Sequence, residues 1–152
     1  MKLYFSYGKE VAPEGFEKRS FVIGMPETDI EEISALGVLE KHPDPVAFVT
    51  ACYHALKPGG KVIFASVYYA SIEAWMSPLT VRGVSECSLN WASKSWREQN
   101  KFTEIETGVD FDVLVGMGIE EMVKLKSDDL QVFWRTRYNN VSKAIYFTLT
   151  KR

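Results

Sequence analysis

The chain has 152 residues, 46% apolar, 25% charged and 13% aromatic, a composition that suits one compact domain with a real core and excludes dominant disorder. Eighteen Lys and Arg stand against twenty Asp and Glu, interleaved without blocks, for a net charge of -2 and a pI of about 5.7. Nothing in that balance asks for nucleic acid, whose binders carry basic faces. The longest apolar stretch, Val62 to Ala70, is far short of the roughly 20 residues of a membrane-spanning helix.

Lys2 to Tyr7 is rich in β-formers and reads as a strand, and Ser20 to Met25 reads as a second after a Pro- and Gly-containing turn. Ile30 to Leu36 is expected to form a third, buried strand. Glu31 and Glu32 then point to opposite faces and cannot act together as acid and base.

Asp44 is a natural N-cap, and Pro45 suits the first helical position, where its missing N–H would have been unpaired anyway. Val46, Val49, Tyr53 and Leu56 recur at helical spacing, so this face is expected to be buried. Lys57-Pro58-Gly59-Gly60 ends the helix, and Lys61 to Val67 reads as a wholly buried strand. Strand, helix, buried strand is the pattern of a parallel sheet.

Further on, Thr80 is expected to cap a helix running to Asn90, with Trp91 and Trp96 anchoring a surface crossing toward Lys101. Phe111 to Val115 reads as a strand, Gly116-Met117-Gly118 as a turn, and Ile119 to Lys126 as helical. Ser127, Asp128 and Asp129 open another helix through Tyr138. Ile145, Phe147 and Leu149 alternate with Tyr146, Thr148 and Thr150, the pattern of a final strand with one drier face.

Cys52 and Cys87 make neither a CxxC pair nor a zinc knuckle, and with only His42 and His54 as imidazoles no metal site is expected. A reducing, cytoplasmic setting follows by default, and the polar start MKLYFSYGKE does not resemble a signal peptide. His42 reads as helping to cap the helix, and His54 lies on its polar side. The aromatic set Tyr68, Tyr69, Trp75, Trp91 and Trp96 reads mainly as core and covering.

The run from Ile30 to Val67, with Leu39-Glu40-Lys41-His42 and Leu56-Lys57-Pro58-Gly59-Gly60, resembles the second half of class I S-adenosylmethionine-dependent methyltransferases. Gly108-Val109-Asp110-Phe111 and Tyr138-Asn139-Asn140 are similar to the tail of small microbial and phage-type members. The resemblance implies a Rossmann-like α/β fold with a mostly parallel sheet and an antiparallel edge, residues 1–152 forming one domain. It also places S-adenosylmethionine near Ser6, Tyr7 and Gly8 after the first strand, and near Ala35, Leu36 and Gly37 after the strand that precedes the Leu39-Glu40-Lys41 turn.

Three departures accompany it. Leu3-Tyr4-Phe5-Ser6-Tyr7-Gly8 keeps only Gly8 of the family's Gly-rich turn. Glu17-Lys18-Arg19-Ser20 leaves no carboxylate in the expected register. The segment that carries the family's third strand is absent, so six strands are expected where the family has seven. Two functions follow from these observations: a small methyltransferase whose acceptor and catalytic residues the sequence does not identify, or a methyltransferase-like interaction module that no longer binds the cofactor, with a homodimer as a natural assembly.

Overall fold

A computed structural model of the chain describes residues 1–6, 10–19 and 28–152. These form a six-stranded sheet of β1 (Lys2–Ser6), β2 (Glu17–Arg19), β3 (Ile30–Leu36), β4 (Leu56–Val67), β5 (Phe111–Ile119) and β6 (Ser142–Lys151), in the order β2-β1-β3-β4-β6-β5. The pairs β1–β2, β1–β3 and β3–β4 are parallel, whereas β6 runs antiparallel to both β4 and β5. This is the expected mostly parallel sheet with an antiparallel edge. The strand expected at Ser20 to Met25 lies outside the described residues.

The helix α1 (Pro45–Ala55) begins as its cap signals require, with the Asp44 carboxylate accepting from the Ala47 N–H at 2.8 Å. Its buried face is turned from the expected stripe: Phe48, Val49, Cys52 and Ala55 are buried, while Val46 and Tyr53 are partly so. The Phe48 ring decides this, because its centroid lies 5.4 Å from that of Phe5 and 6.2 Å from that of Phe64, joining β1 and β4 across the helix.

After α1 the chain is already extended at Leu56, so β4 begins before the Lys57-Pro58-Gly59-Gly60 turn. That turn bulges from the ladder, where the pairing shifts between Ile30 and Glu32. Gly59 adopts φ +74°, and a Cβ on Gly60 would meet two carbonyl oxygens at 2.9 Å, so both glycines are required by the backbone.

Val62, Phe64, Phe147, Leu149 and Ile145 share one sheet face with Leu3, Phe5 and Ile33, and all are buried. The other face is open: Ser34, Ile63 and Thr148 are half-buried, Tyr146 is 46% exposed and Leu114 70% exposed. β4 is therefore buried on one side only, and not wholly as its composition suggests. The ion pairs Lys2–Glu32 and Lys61–Glu32, each 3.5 Å, cross this open face.

Residues 80–85 are irregular, with Val84 bridged to Tyr68, and 86–89 form a turn where a helix is expected. Their backbone is committed elsewhere: the Val81 N–H donates to the Glu40 carbonyl at 2.9 Å, and the Val84 carbonyl accepts from Tyr69 at 3.0 Å. Helix α2 (Lys94–Asn100) follows, with Trp96 against Phe102.

Gly116-Met117-Gly118 lies inside β5, not in a turn. Gly116 stands opposite Tyr146 and Gly118 opposite Ala144, where an added Cβ would meet only ordinary contacts at 4.0 and 3.4 Å. The helical spacing after Ile119 yields only α3 (Glu121–Lys124), and α4 (Asp128–Arg137) forms from the Ser127-Asp128-Asp129 start.

Candidate functional site

From β1 the sheet extends one way to β2 and the other way to β3, so the strand order reverses between β1 and β3. In open α/β sheets the crevice outside the carboxyl ends of the strands at such a reversal is the favoured ligand site. A cleft of about 330 Å³ lies at this end, lined by Glu10, by Leu36 and Gly37 after β3, by Glu40 and Lys41, by Ala65–Val67 of β4, and by Ala144 and Tyr146 of β6. Leu36, Ala65, Val67, Ala144 and Tyr146 belong to the open face by register, so the cleft opens onto it.

The floor is a tight turn. Gly37 adopts φ +67°, and its N–H donates to the Ala65 carbonyl at 2.8 Å, tying the end of β3 to β4. The Lys41 and His42 N–H groups both donate to the Val38 carbonyl. His42 is buried and its Nδ1 accepts from the Asp44 N–H at 3.0 Å, so it braces the start of α1 as expected. Burial, aided by the Arg82 charge, holds its pKa below the ordinary value.

Arg82 had no signal in the local sequence, yet it holds this turn together. Its guanidinium donates to the carbonyls of Leu39 at 2.8 Å, of Pro43 at 3.1 Å, and of His42. Only its positive charge, 39 to 43 residues from the acceptors, hinted at such a role.

The predicted site residues divide clearly. Leu36 and Gly37 line the cleft. Ser6 ends β1 and is buried. Glu10 is held below the usual carboxylate range first by its own backbone N–H, then by the Ser6 hydroxyl, with Lys18 and Lys41 adding their charges. Ala35 is 1% exposed, pointing into the core beside Phe5 and Phe64, so its side chain is not in the cleft. Tyr7 and Gly8 lie outside the described residues. Sequence reasoning named Glu40 and Lys41 only as part of a motif, and the structure adds both to the cleft.

The aromatic set also divides. Tyr68 and Trp91 are buried, as core residues should be. Tyr69 and Trp75 instead line cavities of about 400 and 550 Å³ just beyond the end of β4, with Asn140 on one side and Glu86 on the other. Asn140 pins this region, accepting at Oδ1 from the Ile72 N–H at 2.7 Å. Among the described residues no cluster of His, Cys, Asp and Glu is suited to hold a metal ion, and no helix is long and apolar enough to cross a membrane.

The fold is shared with solved methyltransferases. A SAM-dependent methyltransferase from Archaeoglobus fulgidus superposes with a TM-score of 0.50 at 15% identity, covering 84% of this chain and 62% of that one. One from Thermotoga maritima gives a TM-score of 0.50 at 17% identity, over 91% of this chain and 65% of the other. This is the class I methyltransferase fold. In sequence, the chain is 34% identical over 70 residues to the ubiquinone biosynthesis O-methyltransferase of Idiomarina loihiensis, which is 46% of this chain and 27% of that relative. It is 37% identical over 60 residues to the enzyme of the same name from Pseudomonas putida, covering 40% of this chain and 25% of the relative. The chain thus spans about a quarter of the length of the curated relatives it matches. No family model matches it.

Proposed function

We propose that the chain acts as a single domain that binds S-adenosylmethionine in the cleft over Gly37 and transfers its methyl group to an acceptor approaching along the open sheet face. The observation that carries this reading is the cleft's position, at the carboxyl ends of β3 and β4 beside the reversal of strand order. The 34% identity over 70 residues to a ubiquinone biosynthesis O-methyltransferase supports it.

The donor set suits the group. Gly37 presents backbone without a side chain, Leu36 and Val67 offer apolar contact, and Glu40 and Lys41 supply opposite charges. When bound, S-adenosylmethionine would supply an electrophilic methyl group: an acceptor lone pair would form the new bond to the methyl carbon as the C–S bond breaks, its electron pair staying on sulfur as a neutral thioether, and the acceptor's proton would pass to solvent. The protein's work is to hold and orient, and such positioning carries much of the rate of a displacement between two bound reactants. Ser6, Tyr7 and Gly8 are the cofactor residues that the resemblance implies after the first strand. Tyr69 and Trp75, beyond the end of β4, would face the acceptor. A cytoplasmic setting accords with two free cysteines, and a homodimer is a natural assembly for a domain with one sheet face open.

A melting-temperature titration with S-adenosylmethionine tests the reading. Binding to the native state alone raises stability by about 2.7 kcal/mol at a hundredfold excess over Kd, so a saturating rise is expected. No rise at millimolar ligand would overturn it and leave the non-binding interaction module in its place.

A further inference from the structure

Trp75 ends the short 3-10 turn Ile72–Trp75 with 62% of its surface open, and yet its ring is held. The indole N–H donates to the Tyr69 carbonyl at 3.0 Å, and a Cβ added to Gly83 would stand 3.8 and 3.9 Å from two carbons of the benzo edge. The same Cβ would come within 3.0 Å of the Tyr69 Cβ, tighter than ordinary contact, so glycine lets this segment lie against both residues. Tyr69 is itself exposed and packs edge to face on the buried Tyr68 ring, the centroids 4.8 Å apart. Large rings normally serve as core or as contact area for a partner, and these two are fixed in place with surface to spare.

The cavity of about 550 Å³ that they line also holds Glu86, which gives it a charge. The carboxylate is oriented by the Tyr68 hydroxyl, which donates to both of its oxygens at 3.1 Å. Arg135 stands 3.8 Å from Oε1, beyond hydrogen-bond distance, and its Nη1 donates instead to Met117 Sδ at 2.6 Å. Among the described residues the lining of this cavity contains no lysine or arginine.

Two aromatic rings and a carboxylate around one space select one kind of group. The faces of indole and phenol rings attract a cation within about 6 Å of the centroid, indole more strongly, and a carboxylate adds its full charge. An alkylammonium group brings apolar surface to the rings and positive charge to Glu86, and so uses all three. A neutral flat ring would use the aromatic faces and leave Glu86 unused, and an anion would be repelled by it. The volume is within the range of about 300–1,000 Å³ of small-molecule sites.

We propose that Tyr69, Trp75 and Glu86 form a binding site for the alkylammonium end of a small molecule. As the handle by which a methyl acceptor is held, the site rests on the methyl-transfer reading; as a cation site it stands on its own geometry. Val67 lines the cleft and Tyr69 this cavity, and two residues span at most about 7 Å, so a molecule held here by one end extends toward the cleft with the other.

The test uses choline and its uncharged isostere 3,3-dimethyl-1-butanol, titrated into the full chain while the Trp75 indole N–H resonance is followed by NMR. Trp75→Phe identifies that resonance by its loss. Choline is expected to shift it saturably and to bind at least about fivefold more tightly than the isostere. Glu86→Gln keeps an acceptor for the Tyr68 hydroxyl and removes the charge, and should reduce that preference at least about twofold. Should Glu86→Gln fail to fold, Trp75→Phe takes its place, and the rise in melting temperature with choline should shrink in that variant.

Equal binding of choline and the isostere, tighter binding of phenol than of choline, or an undiminished preference in the variant would overturn the cation site. A parallel titration with S-adenosylhomocysteine separates this from the methyl-transfer reading. A response to it without a choline preference overturns the cation site and leaves that reading intact. A choline preference without that response keeps the cation site and removes its role as an acceptor handle, and a response to neither overturns both.

Discussion

Arg82 donates through Nη1 to the Leu39 carbonyl at 2.8 Å, joining two residues 43 positions apart in the chain. The same guanidinium also reaches the carbonyls of His42 and Pro43. The turn that carries Glu40 and Lys41 therefore takes its shape from outside itself. Arg82→Ala should lower stability by roughly 1.5–3 kcal/mol, the scale of hydrogen bonds to a charged group, and weaken ligand binding at the cleft. Urea denaturation and a cofactor titration of the variant measure the two effects. Wild-type values for both would show that the clamp is dispensable.

His42 gives the same turn a dependence on pH. Its folded pKa is depressed, chiefly by burial, from the ordinary value of 6.5, and its Nδ1 already accepts the Asp44 N–H, which a protonated ring could not do. In the interval between the folded value and 6.5 the unfolded chain binds more protons than the native one. The contribution of His42 is thus complete above 6.5 and is lost as pH falls through the folded value. Denaturation midpoints followed from about pH 7.5 down to about pH 5 should fall, and His42→Gln should flatten the decline. An identical decline in both proteins would assign it to other groups.

Gly37 combines conformation with space. At φ +67° an alanine pays the left-handed penalty, about 1–2 kcal/mol for an L-residue, although its Cβ would meet only ordinary contacts at 3.5 Å. Gly37→Ala should lose about that much stability. It should also bind cofactor less well, because the methyl group occupies the point between Glu40 and Lys41. A variant with wild-type binding would place the ligand elsewhere in the cleft.

Much of this was legible in the sequence because its signals are local. The Asp44-Pro45 start fixes α1, Ile30 to Leu36 form β3 as read, and the alternation of Ile145, Phe147 and Leu149 forms the dry side of β6. Leu36 and Gly37, which the resemblance pointed to, sit at the end of β3 and just after it and line the cleft. What escaped is non-local. Thr80 is a fair helix cap, but the Val81 and Arg82 N–H groups are drawn to Glu40 and the Val84 carbonyl to Tyr69. Gly116 and Gly118 look like a turn until Tyr146 and Ala144 stand opposite them. The Arg82 clamp has no local signal, and the Glu40 carbonyl is likewise held by the distant Val81 and Arg82 N–H groups.

The central claim is that the cleft over Gly37 binds the cofactor. Isothermal titration of the intact chain with S-adenosylmethionine tests it most directly. A saturable heat with one site per chain, diminished in Gly37→Ala, is the predicted result. The absence of heat at millimolar ligand would contradict it.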